Sequence, residues 1–327
     1  MSLTATVYRS TDPGAPSLSG TAGSLTAFLD AILVDGYGSG ADVKPGLGWT
    51  RQFSGTNKRV YQNNPTSGSG FLLRIDDSAT VGNARHAWAT CYESMSDIDT
   101  GAGQHPLPSD YPNGSLIPKS NVLSSAPRAW RAIGNERCLY LFIDVGVQGI
   151  DYALPHFFGD IVSFKPGDAC HSAVSSNELT AYAGASILQN FFRANDVVTN
   201  STVTKCLALG RNYRADPGSI YVTHNTEMGT AQFGNNASSP FPNPVNYGLW
   251  YSSIRVKEGA YLLRGRLPGV LAPEHARPFD DDLILDNLPG HPLPGTRLLA
   301  WKFSVHTASK STAYNGQVLF DTVNEWW

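Results

Sequence analysis

The residues able to do chemistry are scattered along the chain. Cys170-His171 sets a thiol beside an imidazole. Neighbours on a strand point to opposite faces, so the two cannot act together there and a base must come from elsewhere. Glu274-His275 follows Pro273 and lacks the second His, one helical turn away, that a zinc-binding helix needs. Asp280-Asp281-Asp282 concentrates three carboxylates without the alternating spacing and glycine of a calcium loop. It reads as a solvated acidic turn. Asp97-Ile98-Asp99-Thr100-Gly101 comes closer to a cation loop, but capping of a turn by Asp side chains is the role that pattern favours.

None of the G-x-S-x-G, G-x-x-x-x-G-K-[ST] or H-E-x-x-H patterns occurs. No signature supports the paired acids of a glycoside hydrolase either. The sequence therefore assigns no catalytic, cofactor-binding or metal residue, and the expectation is a protein that is not an enzyme and carries no cofactor. The four cysteines, Cys91, Cys138, Cys170 and Cys206, form no C-x-x-C pair and read as free thiols in apolar surroundings. Asn113-Gly114-Ser115 and Asn200-Ser201-Thr202 match glycosylation sequons, which without a secretory signal mean polar turns. The 14 Phe, 14 Tyr and 7 Trp fall mostly in alternating runs and read as core. A cluster of rings exposed on loops would instead mark a sugar-binding face.

Composition narrows the elements that position these residues. Charged residues make up 16% of the chain, against about 25% in an average globular protein. With 32 Gly and 21 Pro, this favours short strands joined by many turns. A net charge of −3 excludes a strongly basic nucleic-acid footprint over the whole chain. No run of 18 apolar residues is present, so no membrane insertion is expected. Met1 to Thr6 lacks the features of a secretory signal, which implies synthesis in a cytoplasm.

The expected fold class is mainly β (α+β), with antiparallel sheets of many short strands, one amphipathic N-terminal helix and long loops. The helix spans 24–35. Ser24 is its candidate N-cap, Leu25, Phe28, Leu29, Ile32 and Leu33 share one face, and Gly36 suits the position after its end. It is expected to pack on a sheet. About a dozen strands follow from alternation and apolar runs. They include residues 3–9, Lys58 to Tyr61 paired with Phe71 to Ile75, His86 to Glu93, Arg137 to Val145, Gly159 to Phe164, Cys206 to Leu209 and Ser219 to Val222. Leu249 to Val256 pairs with Ala260 to Leu263, and Leu298 to Val305 and Gly316 to Asp321 close the chain. Residues 94–127 and 225–247 are polar and rich in turn formers, and are expected to be arms reaching neighbouring proteins. The division is 1–127 and 128–327, or a single unit. Trp326 and Trp327 should be buried against this subunit or a neighbour.

Several segments together resemble virion structural proteins of tailed bacteriophages and prophages. They are Thr6 to Pro16 with the helix Gly23 to Gly38, Gly48 to Lys58, Phe71 to Asp77, Tyr92 to Gly101, Phe158 to Asp168, Gly265 to Val270, Gly316 to Thr322 and the terminal Trp327. The resemblance runs over nearly the whole chain and carries no catalytic residues. It implies a non-enzymatic component of the virion, tail or baseplate associated, made in the bacterial host cytoplasm. The partners it implies are other phage virion proteins in a symmetric homo-oligomer, with no nucleic acid. A host-receptor or glycan-binding module of the tail, or a capsid-surface decoration protein, is the alternative.

Overall fold

The computed structural model describes residues 3–78, 80–81, 84–146, 153–175, 178–181, 186–188, 207–225, 251–258, 262–273, 279–286, 295–305 and 314–327. The chain is mainly β, as expected. The larger sheet has 13 strands. Its order starts at Thr6–Arg9 and runs through Trp130–Gly134, Cys138–Ile143, Leu154–Asp160, Ser172–Ser175 and Leu207–Arg211. It continues through Pro217–Asn225, Tyr251–Glu258, Leu262–Pro273, Tyr314–Asp321 and Arg297–Val305 to Leu283–Asp286, with Val162–Ser163 added beside Leu262–Pro273. The smaller sheet has six strands. Thr50–Gly55, Lys58–Gln62, Leu72–Asp76 and Ala84–Tyr92 lie side by side, and Thr80–Val81 and Ser115–Ser120 both pair with Ala84–Tyr92.

Two cores hold these layers. One face of the larger sheet, with Leu139, Leu141, Leu154 and Phe158, packs on the inner face of the smaller sheet through Tyr61, Leu73, Ile75, Ala89 and Cys91. The helix face fills the space between them, and Leu25, Phe28, Leu29, Ile32 and Leu33 are all fully buried. The strand Thr6–Arg9 pairs with Trp130–Gly134, so residues on both sides of position 127 build this core. The opposite face of the larger sheet curls onto its own second half. Tyr140, Phe142 and Phe157 meet Trp301, Phe320 and Trp326 there. Arg9 to Asp282 and Arg131 to Asp281, both at 2.8 Å, tie the two ends of the curled sheet together. Trp326 is buried as expected, its indole N–H donating to the Asp321 carbonyl at 2.8 Å, and Arg137 stacks 4.1 Å above the Trp327 ring.

The helix departs from the sequence reading in two ways. Only Ser24–Leu29 is α-helical, and Asp30–Asp35 continues as a π-helix. The Gly36 N–H donates to Ala31, five residues back, because the carbonyls of Ile32 and Leu33 accept instead from the N–H groups of Leu47 and Trp49. The wider turns still keep Ile32 and Leu33 on the buried face. The N-cap is Gly23, at φ 80°, not Ser24, whose hydroxyl donates to the Ser19 carbonyl. The Asp77 carboxylate, brought in by the end of Leu72–Asp76, accepts the Leu25 N–H at 2.7 Å. Asp77 in turn contacts the Lys119 ammonium, and both side chains are fully buried.

Further differences concern strands. Residues 94–127 do not extend as an arm. They form the hairpin Ser94–Asp97 and Thr100–Ala102 and the buried strand Ser115–Ser120, all against this subunit. The strand expected at Gly159 to Phe164 is replaced by Leu154–Asp160, whose His156, Phe157 and Phe158 are buried within a stretch read as turns, followed by the short Val162–Ser163. The Asp280 to Asp282 turn is not merely solvated: Asp281 and Asp282 are the acidic halves of the seam. Of the second expected arm, 225–247, only Asn225 is described, as the end of Pro217–Asn225.

Candidate functional site

A cleft of about 250 Å³ opens on the outer face of the smaller sheet. Alternation along two paired strands builds its floor. Leu73, Ile75, Ala89 and Cys91 point into the core, which sends Arg74, Asp76, Trp88, Thr90 and Tyr92 outward. Asp76 lies directly opposite Trp88, and Arg74 opposite Thr90. The far wall is the 94–113 excursion, which contributes Asp99, Gln104, Pro108, Pro112 and Asn113. Two glycines let this wall approach. A Cβ on Gly101 would stand 2.6 Å from the Tyr92 ring, and Gly114, at φ 96°, would place one 2.3 Å from the Thr90 hydroxyl. Met95 and Ile98 pack with Val60, Leu72 and Tyr92 at one end and anchor the excursion.

The charges in the cleft balance. Lys58 reaches Asp99 at 2.9 Å and Asp76 at 3.6 Å, and Arg74 reaches Asp99 at 2.5 Å and Asp76 at 3.4 Å. Hydrogen bonds from Lys58 and then Arg74 hold the Asp99 carboxyl below its usual range. Asp99 is therefore an ionised acceptor, not a proton donor, at neutral pH. The Tyr92 hydroxyl donates to the Gln104 side-chain carbonyl at 3.2 Å, and the Gln104 amide donates to the Pro106 carbonyl at 3.3 Å. Trp88 is partly buried and is one of the residues lining the cleft, whose exposed surface is mostly polar. The arrangement offers carboxylate and amide hydrogen-bonding groups in a mostly polar cleft.

The sequence candidates fall apart in space. Cys170 lies beside Glu93 and Arg211, and burial, then Glu93, pushes its thiol above the ordinary value. His171 turns the other way. Its Nε2 lies 3.5 Å from the buried Asp160 carboxylate, and its Nδ1 lies 2.6 Å from the Asp168 carbonyl. Burial disfavours the charged imidazole, but Asp160 outweighs it and raises the His171 value. Asp160 also accepts from the Ser69 hydroxyl at 2.6 Å and the Asn63 amide at 3.0 Å. This group bolts the 63–70 loop of the smaller sheet to the larger one. Glu274-His275 lies outside the described residues. Cys91 and Cys138 are buried free thiols, as expected, and Cys206 lies outside the described residues. Among the described residues, no group of three or more His, Cys, Asp or Glu is placed to hold a metal ion. No helix among them is long and apolar enough to cross a membrane.

No family model and no curated protein matches this chain.

Of the cleft residues, Asp99, within Asp97 to Gly101, and Asn113, within a sequon read as a polar turn, carried a sequence signal. Asp97 does cap the turn, accepting the Ile98 N–H at 2.6 Å, while Asp99 faces the cleft. Trp88 had none, because its strand reads as core throughout. The clue was the alternation of Trp88, Thr90 and Tyr92 opposite Arg74 and Asp76, charged residues on the same face.

A second surface lies at the last strand of the larger sheet. Leu283–Asp286 pairs only with Arg297–Val305 among the described strands. Leu283 is 40% and Ile284 49% exposed. An edge strand with apolar side chains in water is a template for pairing with another chain.

Proposed function

We propose that the chain is a non-enzymatic structural subunit of a tailed bacteriophage virion, associated with the tail or baseplate, and that it assembles with other virion proteins as a symmetric homo-oligomer. Two things support the reading. The first is the resemblance in segments spread from Thr6 to Trp327. The second, which carries the assembly part, is the edge strand Leu283–Asp286 with Leu283 and Ile284 in solvent. Natural proteins protect such edges with charge, proline or a covering element. A neighbouring subunit supplies that cover in an assembly, and symmetry repeats each contact around a ring. The frame suits a load-bearing part. Its sheet ends are clasped by two Arg–Asp pairs, and its two sheets are joined through buried Asp160.

Light scattering on the purified chain tests the assembly part. The wild type is expected to run as an oligomer, and Ile284→Lys to reduce its mass at least twofold while leaving the thermal midpoint unchanged. Mass spectrometry of virions from the phage or prophage that encodes the chain is expected to find it in several copies. A monomeric wild type together with absence from the particles would contradict the proposal.

A further inference from the structure

His171 sits at the joint between the two sheets, where one of its nitrogens faces two incompatible partners. Its Nδ1 is 2.6 Å from the Asp168 carbonyl, which can only accept, so Nδ1 carries a proton. Its Nε2 is 3.1 Å from Arg137 Nη2, a group that can only donate. The same Nε2 is 3.5 Å from Asp160 Oδ2, which when ionised can only accept. A bare Nε2 suits Arg137 and a protonated one suits Asp160, so both contacts cannot be hydrogen bonds at once. We propose that His171 is a proton-operated latch on this joint: neutral, it accepts a hydrogen bond from Arg137, and protonated, it releases Arg137 and donates to Asp160.

Asp160 is the point at which the 63–70 loop of the smaller sheet is fixed to the larger one. Fully buried, it accepts from the Ser69 N–H at 2.9 Å as well as from the Ser69 hydroxyl and the Asn63 amide. Burial raises its carboxyl, but hydrogen bonds from His171 and then Ser69 outweigh that and hold it below the usual range. An imidazolium on this carboxylate makes a charge-assisted bond and tightens the fixing. Arg137, once released, keeps its stacking 4.1 Å above the Trp327 ring. Its Nε has no hydrogen-bond partner and lies 3.5 Å from Asp160 Oδ2. The charged groups facing the imidazole are thus Asp160, from Leu154–Asp160, and Arg137, from the turn before Cys138–Ile143. Cys138, buried near both, stays a neutral thiol because burial raises it well above its ordinary value. Asp168, on the segment of His171 itself, turns its carboxylate to Arg264 and Ser163. The 63–70 loop carries no titratable side chain. Burial lowers the His171 value, but Asp160 more than offsets it, so the switch falls above the ordinary imidazole value of about 6.5. The latch is closed in mildly acid solution and opens as pH rises through the folded value. This is the opposite sense to His86, His105 and His156, which burial keeps neutral.

Hydrogen–deuterium exchange of the full chain, read by mass spectrometry across a pH series, tests this. Exchange at the imidazole C–H gives the midpoint of each histidine, and amide exchange reports the 63–70 loop. His171 is expected to titrate above about pH 6.5. Arg137→Met, which removes the competing cation, should raise that midpoint by about half a pH unit or more. After correction for the intrinsic pH dependence of exchange, the loop should be better protected below the midpoint than above it. His171→Gln should abolish that difference. The wild-type measurements stand whether or not the variants fold. A wild-type midpoint at or below about 6.5, an unchanged or lower midpoint in folded Arg137→Met, or loop protection that ignores pH across the midpoint would overturn the proposal.

Discussion

Lys119 and Asp77 meet with no exposed surface on either side chain, and the contact joins three elements. The Lys119 ammonium also donates to the Thr21 carbonyl at 2.6 Å and the Ser24 hydroxyl at 3.0 Å, while Asp77 caps the helix at Leu25. Burial pushes the Asp77 carboxyl up and the Lys119 amine down, and each is partly countered by the other. Three interior histidines are held neutral by burial. His156 is lowered to about 3, and His86 and His105 to about 4. Their contribution is full above the unfolded value of about 6.5 and is lost as pH falls, because the unfolded chain takes protons that the folded chain refuses. Between pH 6.5 and 4.5, His156 alone should cost about 2–3 kcal/mol of stability. Urea unfolding across that range should show a shallower acid loss for His156→Leu than for the wild type. Equal slopes would mean that His156 does not titrate this way. None of this burial was visible in the sequence. Lys119 follows Pro118 in a segment without apolar alternation, and its interior position is set by Asp77, 42 positions earlier in the chain.

The helix was the element most open to sequence reading. Its five-residue stripe is fully buried between the sheets, where Phe28 meets Trp130 edge-on at 4.6 Å. Leu29→Ala should cost about 2–5 kcal/mol, measured by denaturant unfolding. A loss below about 0.5 kcal/mol would place that face outside the core. The hairpin Lys58–Gln62 with Leu72–Asp76 and the final pair Arg297–Val305 with Tyr314–Asp321 were also legible, since both run apolar between clear turns. Other elements were not. The π-turns depend on N–H groups from Leu47 and Trp49, which no periodicity within 24–35 announces. Ser115–Ser120 contains Pro118, which sits where the strand has a partner on one side only among the described strands. The excursion 94–113 reads as an arm because its few anchors, Met95 and Ile98, find their apolar partners on strands about 20 to 40 residues earlier.

At the scale of the whole molecule, sequence gave the β class and left the arrangement open. Strand order is decided by pairings such as Thr6–Arg9 with Trp130–Gly134, more than 100 residues apart. The curl of the larger sheet follows from the rings of Tyr140, Phe142, Trp301 and Phe320 packing in one cluster. Among the described strands that geometry leaves Leu283–Asp286 with a partner on one side only, and the proposed assembly rests on it. The most direct test of the structural role is a density map of the intact particle that resolves β-strands. The account predicts this chain in the tail or baseplate, in copies related by the particle's symmetry, with Leu283–Asp286 against an adjacent chain. A particle without the chain, or copies in which that strand faces solvent throughout, would contradict it.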